Sequence, residues 1–462
     1  MMLINGKLVS GESGIFIVTN PATELPASDS VPHASESQLN AAVDAASVAF
    51  KSWSITTLDA RQKYLDSAKN VLLSHVDELC TILHEEQGKS KHEAKYEMDM
   101  AIGFFDEISK VEIPIQTVST TSTHSLQLHR KPIGVVAGIV PWNFPVLIAV
   151  MKFAVALVYG NTIVLKPSPN TPLTTLRIGL LLASVFPPGV LNIISGSDGV
   201  TPLLGDLLTQ HPKVALTSFT GSILTGKRVF SNSASKLGRM VLELGGNDPA
   251  IVLGDANVDS AAKGVLEGGL INCGQICCGI KRVYVHDSIY QQFLDCIVKL
   301  ASAKTGLAPL NNRGQRDRVA ALVEDARSCG AQILTGGSQS SPGFFYPATI
   351  VTNIKEGVRL VDEEQFGPVL PIMKYHTIDE VVERANNTVF GLGASVWGTD
   401  PTLVNSVAQR LEAGIVWTNE HAADIPGLPF GGMKWSGVGR EGGDFDLHTY
   451  TEPQSLKLMI SK

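Results

Sequence analysis

A repeated pattern of apolar strand, turn and helix, which begins at Val135, restricts this chain to a few architectures. The runs VVAGIV, NTIVLKPS and VLNIIS are predicted strands, and the segments between them have helical periodicity. Continuous apolar strands that alternate with helices are typical of a parallel sheet covered on both faces. A second block of the same kind starts near Pro249, with strands at AIVLG, RVYVH and AQIL. The sequence therefore predicts two α/β blocks.

The segments outside these blocks carry two other patterns. Apolar residues three and four apart predict an amphipathic helix from about Glu36 to Trp53, and the ranges 59–87 and 89–107 continue in helical mode. After Ile113 the chain becomes β-branched and roughly alternating, which predicts an extended arm. The run HTYTEPQSLKLMI near the C-terminus alternates in the same way. We expect it to pair with the arm near residue 120.

Composition excludes several classes of protein. The chain has 462 residues, 44% of them hydrophobic and 18% charged, as in a globular protein of two or three domains. Its net charge of -7 does not favour nucleic acid or an anionic membrane surface. The most apolar segment, Pro145 to Gly160, is too short to span a bilayer and carries Lys152, so it predicts a buried helix. Six cysteines without a signal-peptide pattern indicate a reducing compartment, and we expect a cytoplasmic protein.

The segment NCGQICCGIKR, from Asn272 to Arg282, is rich in cysteine. It holds three of the six cysteines, Cys273, Cys277 and Cys278. A metal site is disfavoured because the Cys-x2-Cys spacing is missing. A strained disulfide between the two adjacent cysteines would act only as a redox switch. A nucleophilic thiol needs a glycine-containing turn with nearby donors, and GQICCG supplies both.

Two polar residues lie in apolar surroundings where catalysis could use them. Asn143 is held in the stiff segment VPWNFP, where its amide could donate to a developing oxyanion or merely cap the next helix. Glu243 lies in VLELGGNDP, and a carboxylate among apolar residues tends to have a raised pKa, which suits a general base. A structural glutamate paired with a lysine is the alternative for Glu243.

Two strand ends have features of a nucleotide site. The run SFTGSILTG places Gly221 and Gly226 at a strand-to-helix junction, where small residues let a pyrophosphate approach the helix N-terminus. The run IVLKPS ends a strand with Lys166 and Ser168, at the edge where open α/β sheets bind nucleotides. Read alone, the first run is better explained by a structural turn. The second is explained at least as well by a solvated lysine at a strand end.

Taken together, the motifs resemble those of the NAD(P)-dependent aldehyde dehydrogenase superfamily. PWNFP, LKPS, FTGS, LELGG, GQIC, EEQFGPV and PFGGMKWSGVGRE occur in that family's order over nearly the whole chain. The resemblance implies a Rossmann-like cofactor-binding domain at 1–113 and 133–242 and an α/β catalytic domain at 243–435. It also implies an oligomerisation arm and C-terminal strand at 114–132 and 436–462.

The same resemblance implies a reaction. Cys277 would attack an aldehyde, and its own backbone N–H and the Asn143 amide would hold the alkoxide. Hydride would pass to the nicotinamide of NAD or NADP, and Glu243 would activate the water that hydrolyses the resulting thioester. No metal is implied. We expect a homodimer or homotetramer, because an exposed extended arm needs a partner edge.

The resemblance assigns further residues to the cofactor and the substrate. Those expected at the cofactor are Val140, Trp142, Lys166, Ser168, Pro169, Gly221, Ser222, Gly226, Leu244, Glu364 and Phe366. Glu364 would hold the nicotinamide ribose, and Phe366 would pack near the ring. Those expected to line the substrate tunnel are Phe144, Ile148, Met151, Ile276, Cys278 and Phe430.

Two departures from the family pattern bear on specificity. Pro169 stands where many NAD-preferring members have a glutamate, so that NADP is compatible with the site as well as NAD. Met151 stands where members that oxidise succinate semialdehyde commonly have an arginine. We therefore expect an apolar tunnel and an uncharged aliphatic or aromatic aldehyde.

Four other functions stay open at this point. They are a succinate-semialdehyde dehydrogenase, a CoA-acylating enzyme, a non-catalytic protein on the same scaffold, and a redox sensor that uses Cys277 and Cys278. Glu243 speaks against the CoA-acylating type, which does not need a base for hydrolysis. The complete set of Cys277, Glu243 and Asn143 speaks against the non-catalytic type.

Overall fold

A computed structural model describes residues 1–28, 30–423, 425 and 427–460. In this part of the chain the α-helices are α1 Glu36–Trp53, α2 Leu58–Ser74, α3 Val76–Gln87, α4 Lys91–Ile108, α5 Pro145–Val158, α6 Leu173–Leu182, α7 Leu204–Gln210, α8 Ile223–Ala234, α9 Val258–Leu270, α10 Tyr290–Ala303, α11 Arg313–Ser328, α12 Arg359–Asp362, α13 Ile378–Asn386, α14 Pro401–Ala408 and α15 Phe445–Thr449. The strands are β1 Met2–Ile4, β2 Lys7–Val9, β3 Ile15–Phe16, β4 Val31–Pro32, β5 Gln116–Thr120, β6 His124–Pro132, β7 Val135–Ile139, β8 Thr162–Lys166, β9 Leu191–Ile193, β10 Val214–Gly221, β11 Arg239–Leu244, β12 Asp248–Val252, β13 Ile280–His286, β14 Gln332–Thr335, β15 Thr349–Thr352, β16 Val369–Tyr375, β17 Gly393–Trp397, β18 Ile415–Thr418, β19 Gly437–Val438 and β20 Thr451–Met459.

The first sheet has eight strands in the order β19-β11-β10-β7-β8-β9-β1-β2. Its five central strands are parallel, and β19, β1 and β2 add antiparallel edges. Strands β7 and β8 are buried along their whole length, as expected for strands covered by helices on both faces. Helix α5 is buried almost throughout, and its one buried cation is Lys152.

The second sheet has seven strands in the order β14-β15-β16-β13-β12-β17-β18. All its pairs are parallel except β14 with β15. The chain passes from the first sheet to the second through the short turn between β11 and β12, which contains Gly245 and Gly246. The two sheets with the small antiparallel sheet described next confirm the predicted α/β fold class.

A third sheet, of three strands in the order β20-β6-β5, forms the arm. Strand β20 pairs antiparallel with β6 over nine residues, from Thr451 opposite Pro132 to Met459 opposite His124. The pairing predicted between the C-terminal segment and the arm is therefore present. Strand β5 is exposed at every residue.

A buried ion pair fixes the start of α5. The Lys89 Nζ lies 2.6 Å from Glu97 Oε2, and both side chains are buried. The other carboxylate oxygen, Glu97 Oε1, accepts hydrogen bonds from the backbone N–H groups of Val146 (2.8 Å) and Leu147 (3.1 Å). Glu97 thus satisfies N–H groups of α5 that have no partner within the helix. Lys89 also donates to the main-chain oxygen of Asn143, just before the helix.

We predict that Glu97→Gln lowers the free energy of unfolding by about 3–5 kcal/mol, because it leaves the Lys89 ammonium buried without a carboxylate. Urea denaturation would measure the change. Asp59→Asn, which removes the carboxylate of an exposed pair with Lys63, is the control and should change little. Equal midpoints for Glu97→Gln and wild type would contradict the prediction.

Candidate active site

Three segments from different parts of the chain meet between the two sheets. Asn143 follows β7, Glu243 is the penultimate residue of strand β11, and Cys277 lies in the turn before β13. The Asn272 side chain, upstream of Cys277, donates to the main-chain oxygen of Asn143 at 3.1 Å. The three residues predicted to be catalytic are therefore brought to one site.

The turn that leads to Cys277 has an unusual backbone. Asn272 and Cys273 have φ of 49° and 58°, and Gly274 has φ of +75°. Such conformations are costly for non-glycine residues and persist only where surrounding contacts fix them. Asn272 Nδ2 donates to Gln275 O (3.1 Å), and Gln275 Nε2 donates back to Asn272 O (3.0 Å). These two amides hold the turn that carries the thiol.

Gly274 is required in this turn for a second reason. A Cβ at this position would lie 2.3 Å from the main-chain oxygen of Gly367. The nucleophile turn and the segment that carries Phe366 are therefore in close backbone contact.

Glu243 and Cys277 face each other. The Glu243 side chain is buried, and its Oε1 has no hydrogen-bond partner among the described residues. Burial raises the pKa of Glu243 well above its usual value, and the facing Cys277 raises it further. The pKa of Cys277 is also raised, by contact with the Cys278 thiol and by burial. A carboxyl group with a raised pKa next to a thiol can exchange a proton with it or with a water.

Sequence reasoning missed a polar network behind Glu243. The Lys152 Nζ donates to Ser218 Oγ (2.8 Å) and to Glu441 Oε1 (2.9 Å). Lys152 opposes the raised pKa of Glu243, whereas Glu441 adds to it. A lysine in the middle of an apolar helix was the one signal in the sequence, but its partners are too distant in the chain to be found from local patterns.

Lys166 has the features of a ligand-binding cation. It ends β8, is buried, and its Nζ has one hydrogen bond within the described residues, a 3.3 Å contact with Pro167 O. Burial lowers the pKa of Lys166, and the charge of Asp198 opposes this. An ammonium has three donors, so this one can still bind hydroxyl or phosphate oxygens. Val140 N, which donates to Lys166 O at 3.1 Å, fixes the neighbouring backbone.

The other residues of the nearby strand end are compatible with a nucleotide. Ser222 caps α8 by accepting a hydrogen bond from Thr225 N. A Cβ at Gly226 would lie 2.5 Å from Leu244 Cδ2, so this glycine lets α8 approach β11 closely. Gly221 and Ser222 thus lie at a helix N-terminus, where phosphate groups bind favourably. Ser168 Oγ accepts from Asn170 N (3.3 Å), next to Pro169.

Glu364 lies near the Gly245–Gly246 turn, and the rings of Phe366 and Trp142 pack on each other. Glu364 Oε1 accepts from Gly246 N at 3.2 Å. Burial raises the pKa of Glu364, and the charge of Lys281 opposes the rise. Phe366 has φ of 50° and its ring is edge-on to that of Trp142, with centroids 5.3 Å apart. A carboxylate acceptor, aromatic faces and Lys166 together fit the hydroxyls, phosphates and ring of a dinucleotide.

The predicted substrate-lining residues fall into two groups. Ile276, Cys278 and Phe430 belong to one apolar cluster with Cys277 and Trp417. The other group lies at the start of α5, and its members Phe144, Ile148 and Met151 are half-buried. The Phe144 ring is covered by the Lys89 ammonium, 3.6 Å from the ring centroid.

The described part of the chain lacks two kinds of feature. No group of three His, Cys, Asp or Glu side chains there is arranged to hold a metal ion. No helix there is long and apolar enough to cross a membrane. All six cysteines are free thiols.

Comparisons with known proteins agree with this geometry. A model of the aldehyde dehydrogenase family matches residues 8–456. Phenylacetaldehyde dehydrogenase of Pseudomonas fluorescens is 38% identical, with 98% of this chain and 95% of the relative covered. The mitochondrial succinate-semialdehyde dehydrogenase of Oryza sativa is 36% identical, with 97% and 88% covered.

A solved structure leads to the same result. The NAD+ complex of an aldehyde dehydrogenase from Bacillus cereus is 34% identical, with a TM-score of 0.94, and the match covers 100% of this chain and 96% of that one. The family predicted from the motifs is thus confirmed. The chain is a member of the aldehyde dehydrogenase family, an oxidoreductase that uses NAD or NADP.

Proposed function

We propose that this enzyme oxidises an uncharged aliphatic or aromatic aldehyde to the carboxylic acid through a covalent intermediate on Cys277. The observation that supports this most strongly is the Cys277 thiol, which faces the buried Glu243 within an apolar cluster. A thiol supplies the nucleophile and a buried carboxylate supplies the base, and both are needed to make and then hydrolyse a thioester.

The first step is addition to the carbonyl. The Cys277 sulfur, as thiolate, attacks the aldehyde carbon, and the oxygen becomes an alkoxide on a thiohemiacetal. The Cys277 N–H and the Asn143 side-chain amide donate to this oxygen. Donors fixed before reaction stabilise such a charge most effectively, because they do not have to reorganise. Lys89 and Asn272 fix the Asn143 backbone.

The second step leaves a thioester, which is then hydrolysed. The chemistry that a bound NAD or NADP would supply is acceptance of the hydride from the thiohemiacetal carbon. Lys166, Ser168 and the N-terminus of α8 would hold the adenosine and phosphate portions, and Glu364, Trp142 and Phe366 the nicotinamide portion. Glu243 then takes a proton from a water as that water attacks the thioester, which releases the acid and regenerates Cys277.

The apolar surroundings of Cys277 support the proposed substrate class. Ile276, Cys278, Trp417 and Phe430 surround the thiol with apolar groups, and Met151 is neutral. The described members of this cluster carry no charge, so an ω-carboxylate would lose its hydration among them without gaining a charged partner, which is unfavourable. The likeness to a phenylacetaldehyde dehydrogenase agrees with this class, and the likeness to a succinate-semialdehyde dehydrogenase makes a charged substrate the main rival.

We also propose that the arm mediates self-association as a homodimer or homotetramer. Strand β5 is an exposed edge, and Ile115 and Val118 on the same segment are exposed apolar side chains. Edge strands of this kind are usually paired or covered.

The proposal is tested by initial rates of cofactor reduction with NAD and with NADP. Three substrates are compared: a medium-chain aliphatic aldehyde, benzaldehyde and succinate semialdehyde. We expect turnover of the two uncharged aldehydes with either cofactor and its loss in Cys277→Ala, because the proposed thioester forms on the sulfur that this change removes.

Other outcomes point to the rivals. Preference for succinate semialdehyde would refute the proposed substrate class but keep the enzyme class. Turnover only in the presence of CoA would favour an acylating enzyme. No turnover of any of the three would favour a non-catalytic role, and activity that oxidation silences and thiol reductant restores would favour the redox sensor.

The raised pKa of Glu243 predicts a pH dependence of deacylation. Its ionised form, which acts as the base, is populated only above this raised pKa, so the deacylation rate should rise with pH through a range above that of an ordinary carboxyl group. Glu243→Gln should slow deacylation by about 10²–10⁴-fold and abolish this rise. Steady-state rates after the burst of cofactor reduction would measure it. An unchanged rise with pH in Glu243→Gln would assign the base elsewhere.

Pro169 predicts a cofactor effect that can be isolated. Pro169→Glu places a carboxylate where it would repel a 2′-phosphate, so kcat/KM with NADP should fall by about tenfold or more relative to NAD, since like charges in contact cost several kcal/mol. Pro169→Gln is the uncharged control and should leave the ratio near that of the wild type. An equal loss with both cofactors would mean that the position does not face the 2′-oxygen.

A further inference from the structure

Lys281 lies directly beneath the turn that carries Cys277. It is the second residue of β13 and is 2% exposed. Its Nζ donates to three main-chain oxygens of the preceding turn, those of Ile276 (2.8 Å), Cys277 (2.9 Å) and Gly279 (3.2 Å). An ammonium has three donors, so this one is fully used by the turn.

The remaining carbonyl of this turn is also fixed by a side chain. His421 Nε2 donates to Cys278 O at 2.6 Å. The four consecutive oxygens of residues 276–279 are therefore all held by two side chains, those of Lys281 and His421. The Cys277 oxygen also lies close to the Gly246 backbone, where an added Cβ would be 2.7 Å from it.

This arrangement sets the direction of two N–H groups. The peptide bonds on both sides of Cys277 are trans, so each N–H points opposite to the carbonyl of its own peptide unit. Because Ile276 O points to the Lys281 ammonium, the Cys277 N–H points away from it. The Cys278 N–H is directed in the same way by Cys277 O. The Cys277 N–H has no acceptor among the residues that the structure describes, so it is free to bind a substrate oxygen.

We propose that Lys281 is a positioning residue, whose ammonium locks the peptide units on both sides of Cys277 so that the Cys277 N–H is aimed at the substrate alkoxide. A carbonyl bound to a cation also polarises its peptide unit and makes the N–H a stronger donor. This inference rests on the proposed role of Cys277 as the nucleophile.

The charge of Lys281 acts on neighbouring groups as well. Glu364 Oε1 lies 4.0 Å from Nζ, beyond hydrogen-bond distance. The buried His421 Nε2 lies 3.8 Å from the buried Asp248 Oδ2. Lys281 opposes the raised pKa of Cys277 and that of Asp248, and it adds to the lowering of the pKa of His421. A change in the population of the Cys277 thiolate must therefore be distinguished from a change in the direction of the Cys277 N–H.

Two reactions of the same sulfur separate these effects. Acylation by 4-nitrophenyl acetate forms an S–acyl bond, passes through an alkoxide and expels 4-nitrophenolate, without any cofactor. Alkylation by iodoacetamide forms an S–CH2 bond and expels iodide, with no alkoxide. A change in the thiolate population alters both rates equally, so it cancels in the ratio of acylation to alkylation at one pH.

The experiment compares this ratio in the wild type and in Lys281→Met. The burst of 4-nitrophenolate gives the acylation rate, and peptide-level mass spectrometry gives the alkylation of Cys277. We expect the ratio to fall by about tenfold or more, against about 10²–10³-fold for outright loss of an oxyanion donor. Lys236→Met is the matched control, because Lys236 Nζ also donates to two main-chain oxygens, those of His211 and Val214. Its ratio should stay within about twofold of the wild type, since these contacts lie away from Cys277.

Each other outcome has a defined meaning. An unchanged ratio in Lys281→Met overturns the inference and leaves Lys281 as a structural or thiolate-tuning residue. If Lys281→Met does not fold, Lys281→Gln, with one neutral donor, is measured in the same way and the same ratio decides. No Cys277-dependent burst in the wild type overturns the inference together with the nucleophile. A wild type that gives the burst but oxidises no aldehyde refutes only the proposed function.

Discussion

One main-chain oxygen, that of Asn143, joins the two halves of the site. It accepts from Lys89, whose charge is balanced by Glu97, and from Asn272 in the nucleophile turn. The first contact fixes the start of α5 and the second fixes the strained turn before Cys277. Because both donors are buried, either contact can be broken only at the cost of an unpaired polar group. The distance between the thiol and the Asn143 segment therefore depends on this oxygen.

Sequence patterns predict the helices of this chain better than they predict the boundaries between them. The helix predicted from Glu36 to Trp53 coincides with α1, because apolar spacing and the Ser35 capping box act locally. The helical stretch predicted for 59–87 is in fact two helices, α2 and α3, divided at His75. His75 has φ of -117° and ψ of 16°, outside the helical region, although the apolar periodicity continues through it. Periodicity reports which face is buried, and it does not report a change of helix axis.

The candidate site shows the same limit. Motif resemblance located Cys277, Glu243 and Asn143, and the structure brings them together, while their roles stay predictions. Lys281, Lys152 and Glu441 were not assigned to the site, because each is defined by its partners. A lysine four residues after the nucleophile looks in the sequence like an ordinary strand residue. Only the fold shows that its ammonium is enclosed by the carbonyl oxygens of the turn.

The ion pair between Lys152 and Glu441 has a consequence for synthesis of the protein. Their positions are 289 residues apart in the chain. At translation rates of roughly 5–20 residues per second, Glu441 is made roughly 15–60 s after Lys152. During that interval the apolar helix α5 contains a cation that lacks its carboxylate. The first sheet also lacks its edge strand β19, which belongs to the same late segment as Glu441 and pairs with β11. Folding around Glu243 is therefore completed only when the last part of the chain arrives, although most of the first sheet is made early.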